Sequence, residues 1–174
     1  MDNDFLRRTW VEVSLDNLTF NYQQIRAALP EGTRFLGVVK ADAYGHGAAP
    51  VAKRLEQEGC DFFATATVDE ALRLRENGVK GTVLILGYVL DCYLENAISN
   101  GISLAVDTYE HLESIVKAAE GRTVKVHIKL DTGMNRTGFP AKDGELCEEL
   151  KKVVSLFENN ENLVLEGLFS HFAV

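Results

Sequence analysis

Six short apolar runs rich in Val, Ile, Leu and Phe recur along the chain, at Phe35–Val39, Phe62–Ala66, Val83–Gly87, Ser103–Val106, Val124–Leu130 and Leu163–Phe169. Segments of helical character separate them, and their starts lie 27, 21, 20, 21 and 39 residues apart. A strand, a helix and two loops fill about that length. Parallel strands need such a crossover, because a tight turn joins only antiparallel neighbours. The recurrence therefore predicts an α/β fold around a parallel sheet. With 46% of 174 residues apolar, there is material for one real core.

The helices are marked at their ends. Thr67-Val68-Asp69-Glu70 and Asp107-Thr108-Tyr109-Glu110 each place a short capping side chain, Thr67 or Asp107, three residues before a glutamate. That arrangement satisfies orphan backbone donors at a helix start. Gly59, Gly78, Gly101 and Gly121 stand where the helices should stop, since a left-handed cap favours glycine. Leu18, Tyr22, Ile25 and Leu29 form one helical stripe, and Leu146, Leu150, Val153 and Phe157 another.

The fifth run separates barrel from open sheet. Val124, Val126, Ile128 and Leu130 share one face; Lys125, His127, Lys129 and Asp131 share the other. A central strand of a doubly wound sheet is apolar on both faces. A polar face suits a barrel with helices outside and a site in its lumen, or else a solvated edge strand. A closed (β/α)8 barrel takes eight strands and about 250 residues. The expectation is thus an incomplete TIM-type barrel of about six parallel strands with intervening helices, in a truncated polypeptide. Thr9–Leu15 also alternates like a half-buried strand and is expected to pair with something outside the chain.

Lys plus Arg total 18 and Asp plus Glu 26, a net charge of −8 with no basic run. Nucleic acid is therefore not an expected partner. The start of the sequence lacks the pattern of a signal peptide, and no apolar stretch approaches the roughly 20 residues of a membrane span. Cys60, Cys92 and Cys147 are odd in number and widely spaced, which points to neither a disulfide framework nor a zinc site. A soluble protein of the cytoplasm is expected.

The first run ends in Val39-Lys40-Ala41-Asp42-Ala43-Tyr44-Gly45-His46-Gly47. Barrels carry their catalytic groups at the C-terminal ends of strands. A lysine placed there, directly after an apolar strand, is partly desolvated, which favours the neutral amine that attacks a carbonyl. The ordinary alternative is a surface lysine at a strand terminus. Gly45 and Gly47 indicate a tight loop before a helix containing Val51 and Leu55.

The segment Val39–Gly47 resembles the pyridoxal-phosphate lysine signature of the alanine racemases. Lys129-Leu130-Asp131-Thr132-Gly133-Met134-Asn135-Arg136-Thr137-Gly138 is similar to that family's loop after the fifth barrel strand, and Leu165–Ala173 to a third family segment. The resemblance spans essentially the whole chain. It implies that Lys40 carries pyridoxal 5'-phosphate as a Schiff base and later acts as a base at the substrate α-carbon. It further implies that Tyr44 donates to the cofactor phosphate and that Leu86 lines the pocket. Arg136 reaches the phenolic oxygen and the substrate carboxylate, and His171 lies against the ring. The lysine matching Lys129 is carbamylated in the family, and a carbamate there could hold Arg136 where a second cation would repel it. Asn135 stands where many members have glycine, which bears on the local backbone.

For the whole protein, the resemblance implies interconversion of L-alanine and D-alanine for the bacterial cell wall by a homodimer. The second acid–base group is a tyrosine from the partner's C-terminal β domain. Residues 1–174 are expected to be the N-terminal barrel portion alone, without the remaining barrel strands and the β domain, and with little or no activity. Four alternatives stand beside this: a serine racemase of the vancomycin-resistance type, a pyridoxal-phosphate carrier, a Schiff-base lyase without the cofactor, and a folding fragment with no ligand.

Overall fold

The computed structural model describes residues 9–142 and 145–173. After helix α1 (Leu15–Ala28), strands β1 (Gly37–Val38), β2 (Phe62–Thr65), β3 (Thr82–Ile85), β4 (Ser103–Val106) and β5 (Val124–Asp131) follow in turn. Short strands β6 (Phe139–Lys142) and β7 (Glu145–Leu146) come next, then β8 (Leu163–Phe169). Between β1 and β2 lie the turn α2 (Lys40–Gly45) and helix α3 (Ala48–Gln57). Helices α4 (Val68–Glu76), α5 (Asp91–Ser99), α6 (Tyr109–Ala119) and α7 (Glu148–Glu158) fill the later crossovers.

All six predicted runs are strands, paired in parallel in the order β1-β2-β3-β4-β5-β8. Spatial order follows chain order without reversal, so the sheet is singly wound, as in a (β/α)8 wall, and not doubly wound. The helices pack neighbour to neighbour in the same sequence, from α1 on α3 through to α6 on α7. Strand β5 lies between β4 and β8, which excludes the edge-strand reading of its polar face. The core sits between sheet and helices, with Phe63, Leu74, Ile85, Leu94, Leu112 and Ile115 fully buried. Val124, Val126 and Ile128 belong to that layer, while Lys125, His127 and Lys129 turn to the concave side.

The helix ends follow their chemistry, with one correction. Thr67 Oγ1 accepts the Glu70 N–H as expected. At α6 the cap is Thr108, whose Oγ1 accepts the His111 N–H at 3.2 Å, and not Asp107. The four glycines that end helices all take positive φ, between 61° and 90°.

The N-terminal stretch departs from expectation. Residues 9–14 form no strand, Leu15 begins α1, and Trp10 and Val11 are exposed. Alternation gives a strand only where a partner supplies the ladder, and among the described residues none pairs with this stretch. The α1 stripe is half used: Tyr22 is buried, Leu18 packs on the core, Ile25 is exposed, and Leu29 has left the helix for an extended cap. Leu146 lies in β7 ahead of α7, so only Leu150, Val153 and Phe157 of the second stripe ride on that helix. The sequence reading missed β6 and β7. Strand β6 continues the β5 edge in parallel through Leu130 and Phe139, and β7 turns back on it. Among the described residues no helix is long and apolar enough to cross a membrane.

Candidate active site

The segment after β1 is a left-handed turn. Ala41, Asp42, Ala43 and Tyr44 all have φ between 50° and 55°. Such a conformation costs an L-residue about 1–2 kcal/mol, so four in a row cost on the order of 4–8 kcal/mol. Nothing in residue composition announces this, and local bonds must hold it. The Ala43 N–H donates to Val39 O at 2.9 Å and the Gly47 N–H to Asp42 O at 2.8 Å. Asp42 Oδ1 accepts the Ala48 N–H at 2.7 Å. The His46 N–H donates to Ala43 O, and its Nδ1 lies 2.8 Å from the same oxygen. Glu70 Oε1 takes the Ala41 N–H at 2.7 Å. The turn lifts Tyr44 to the rim, exposed, and leaves Lys40 half-buried at the strand terminus.

Lys40 opens onto a cavity of about 470 Å³ at the C-terminal ends of the strands. Its lining brings together Lys40, Tyr44, Leu86, Lys129, Arg136 and His171, from the C-terminal ends of four strands, β1, β3, β5 and β8, and the loops that follow them. The sequence reading proposed those six, and the fold gathers all of them. Size and lining suit a small ligand bearing anionic groups and a carbonyl. A cavity also occurs between α1 and β1, but its walls are mostly apolar and carry none of these groups. Among the described residues no cluster of His, Cys, Asp and Glu is arranged for a metal ion.

Lys129 is 7% exposed, donates to Thr137 Oγ1, and lies 5.9 Å from the centre of the Phe169 ring. Burial holds its ammonium below the usual lysine range. Arg136 and Lys40 push the same way, and Asp107 and Asp131 oppose them. Asp131 is engaged elsewhere: its Oδ1 accepts the Gly133 and Asn135 N–H groups, each at 3.0 Å, which holds its carboxyl below the ordinary range. A simple Lys129–Asp131 pair is therefore not what the loop is built around. Asn135 answers the question raised by the missing glycine. It adopts φ 54° and donates Nδ2 to Gly133 O, and asparagine tolerates that region better than most residues. Thr137 escaped the sequence reading. The available signal was Gly138, at φ 121°, where a Cβ would stand 2.9 Å from Lys129 O and Asp131 N. The loop can fold back on β5 only if that position is glycine.

Beneath the cavity lies a second polar group. Pairing of β5 with β8 slips between Val126–Leu165 and His127–Gly167, leaving Glu166 as the extra residue of a bulge. The bulge aims its carboxylate at Ser103 Oγ (2.6 Å), Lys125 Nζ (3.0 Å) and His127 Nε2 (3.1 Å). Nε2 must carry the proton to donate. Gly167 makes room, since a Cβ there would meet His127 Nδ1 at 2.8 Å.

A singly wound barrel wall with its ionisable side chains collected at the strand C-termini defines the class: a (β/α)-barrel domain with its candidate site in the strand-end loops. The chain matches the alanine racemase N-terminal domain over residues 13–174 and belongs to that family. It is 40% identical over 171 residues to alanine racemase 1 of Oceanobacillus iheyensis, covering 96% of this chain and 43% of that relative. With the alanine racemase of Geobacillus stearothermophilus it shares 41% identity over 172 residues, covering 98% and 43%. An alanine racemase of Clostridium difficile 630, in complex with cycloserine, superposes with a TM-score of 0.89 at 41% identity, covering 97% of this chain and 45% of that one. The chain thus spans less than half the length of these relatives.

Proposed function

We propose that this chain is the cofactor-holding portion of a pyridoxal-phosphate-dependent alanine racemase, with the rest of the barrel and a β domain supplied by the whole protein. The observation that carries the reading is the convergence of Lys40, Tyr44, Leu86, Lys129, Arg136 and His171 on one cavity at the strand ends. Pyridoxal phosphate, when bound, supplies an electron sink for the charge left at the α-carbon after proton removal.

The chain's own residues do the rest. Lys40 would hold the cofactor at its carbonyl carbon, and its amine would take or return the substrate α-proton on its own face. The Tyr44 hydroxyl donates to a phosphate oxygen. Arg136 presents its planar fork of donors to the phenolic oxygen and the substrate carboxylate. Leu86 and His171 bound the ring and restrict water. Lys129 is carbamylated in this reading: its neutral amine bonds to the carbon of carbon dioxide and releases one proton. Burial and Arg136 favour the neutral amine that this needs. The resulting anion then attracts Arg136 where an ammonium would repel it.

Alanine is the substrate proposed because the named relatives at about 40% identity are alanine racemases. A histidine racemase of Leuconostoc mesenteroides shares the architecture at 28% identity and a TM-score of 0.83. This portion of the fold is therefore compatible with more than one amino acid. The working enzyme is a homodimer in this reading, with the second acid–base group coming from the partner. The test is a titration of the chain with pyridoxal phosphate, followed by borohydride reduction and peptide mapping. Label concentrated on Lys40 supports the reading. Label spread evenly over the lysines, unchanged in Lys40→Ala, refutes it for this chain. A 13C carbamate resonance lost in Lys129→Ala checks the modification.

A further inference from the structure

Glu70 stands in the first turn of α4, opposite the Thr67 cap. In a capping box the glutamate returns to the cap residue's own N–H. Here the carboxylate reaches elsewhere: Oε2 accepts the Ala66 N–H and Oε1 the Ala41 N–H, both at 2.7 Å. Ala66 lies on the connection after β2 and lines the cavity, and Ala41 directly follows Lys40. One half-buried side chain therefore ties two neighbouring strand-to-helix loops together at the cavity mouth.

Lys40 is fixed on both sides of its Cα. The preceding N–H, from Val39, donates to Ala64 O at 2.8 Å, and the following one is held by Glu70. The far end of the left-handed turn is closed by bonds to residues close in sequence, His46, Gly47 and Ala48. Among the described residues, Glu70 is the one side chain distant in sequence that bonds to the turn. We propose that Glu70 is a positioning residue for Lys40, setting the direction in which its amine enters the cavity. The proposal rests on the reading of Lys40 as the cofactor's attachment point. A carboxylate suits the task because both its oxygens accept and neither donates. Glutamine keeps one acceptor and turns an NH2 toward the second N–H. Alanine keeps neither.

The test compares Glu70→Gln, Glu70→Ala and Thr67→Ala in the 174-residue chain by two readouts. Residue-resolved amide exchange at Ala41, Ala66 and along α4 requires no cofactor. The second readout is the rate of borohydride-trapped pyridoxal phosphate incorporation at Lys40, relative to the other lysines. Glu70→Ala should speed exchange at Ala41 at least tenfold and slow Lys40 labelling at least tenfold, with the other lysines unchanged. Glu70→Gln should fall between, and it carries the test if the alanine variant does not fold. Thr67→Ala removes the helix cap but leaves both carboxylate contacts, so it should fray α4 and spare Ala41 and Lys40. Unchanged exchange at Ala41 in Glu70→Ala overturns the proposal. So does a Thr67→Ala effect equal to that of Glu70→Ala, which would make Glu70 a helix cap and no more. A wild-type chain that labels its lysines indiscriminately counts against the cofactor reading instead, and exchange at Ala41 then decides the anchoring alone.

Discussion

Replacing Glu166 by glutamine preserves the side chain's shape and removes its charge from a half-buried cluster in which two of the three donors are shielded from solvent. Three donors converge on that carboxylate, at 2.6, 3.0 and 3.1 Å. Ser103 is fully buried and His127 is 6% exposed, so water cannot replace what they lose. The Lys125 side chain is 51% exposed, and an ion pair so solvated contributes little. Hydrogen bonds to a charged group contribute about 1.5–3 kcal/mol each, and glutamine retains one acceptor, so Glu166→Gln should cost about 2–3 kcal/mol at pH 7. Glu166→Ala strands both buried donors and should cost about 3–5 kcal/mol. For a chain of this length, the glutamine variant's loss lowers Tm by on the order of 8 °C. The pH dependence has a definite sign. Burial alone would raise the Glu166 carboxyl, but bonds from Ser103, Lys125 and His127 outweigh it and hold the group below its ordinary value. The stability it contributes is complete above the unfolded carboxyl's value of about 4.3 and disappears as pH falls through the lower folded value. Urea denaturation of both proteins from pH 7 to pH 3 checks this. The gap should be about 2–3 kcal/mol at neutrality and close as Glu166 protonates. A gap below about 0.5 kcal/mol at pH 7, or one that persists unchanged at pH 3, would refute the reasoning.

Gly87→Ala should destabilise the chain by about 1–3 kcal/mol and weaken pyridoxal phosphate binding, because the new Cβ would stand 2.5 Å from Ala66 O, a backbone atom on the cavity wall. Thermal denaturation with a parallel cofactor titration reads both effects, and an unchanged Tm counts against that contact. Thr108→Ala should cost about 1 kcal/mol and speed amide exchange at His111, whereas Asp107→Ala should leave that exchange alone; the reverse pattern would restore Asp107 as the cap. Phe139 is fully buried, so Phe139→Ala should cost about 3–5 kcal/mol in urea denaturation. A cost below 1 kcal/mol would mean that β6 does not hold the loop after β5.

The strand-and-helix succession was legible because each element writes its own period into the chain. Val124–Asp131 shows both its strand character and its two faces, since alternation depends only on the pleat. Caps and stops were legible too, except where two short polar residues adjoin: Asp107 and Thr108 are equally good candidates until the backbone shows which hydroxyl or carboxylate meets the His111 N–H. Thr9–Leu15 shows the opposite limit. Its alternation is real, but a strand is defined by its neighbour, and among the described residues it has none.

The candidate site divides along the same line. Lys40 could be singled out by the strand-end rule, which depends on local order, whereas Tyr44, Leu86, Lys129, Arg136 and His171 were named from the resemblance to the alanine racemases. Their meeting in one cavity, with residues 131 positions apart at its extremes, Lys40 and His171, depends on six strands closing side by side. The left-handed turn after Lys40, the diversion of Glu70 from its cap to Ala41, and the bulge that aims Glu166 at His127 had no signature in composition or period. Each is a local choice that the isolated segment would not make, because a positive φ or a broken register is unfavourable until distant partners accept the bonds it presents. The sequence determined which residues could act. The tertiary structure decided where they point, because only packing makes the strained conformations the stable ones.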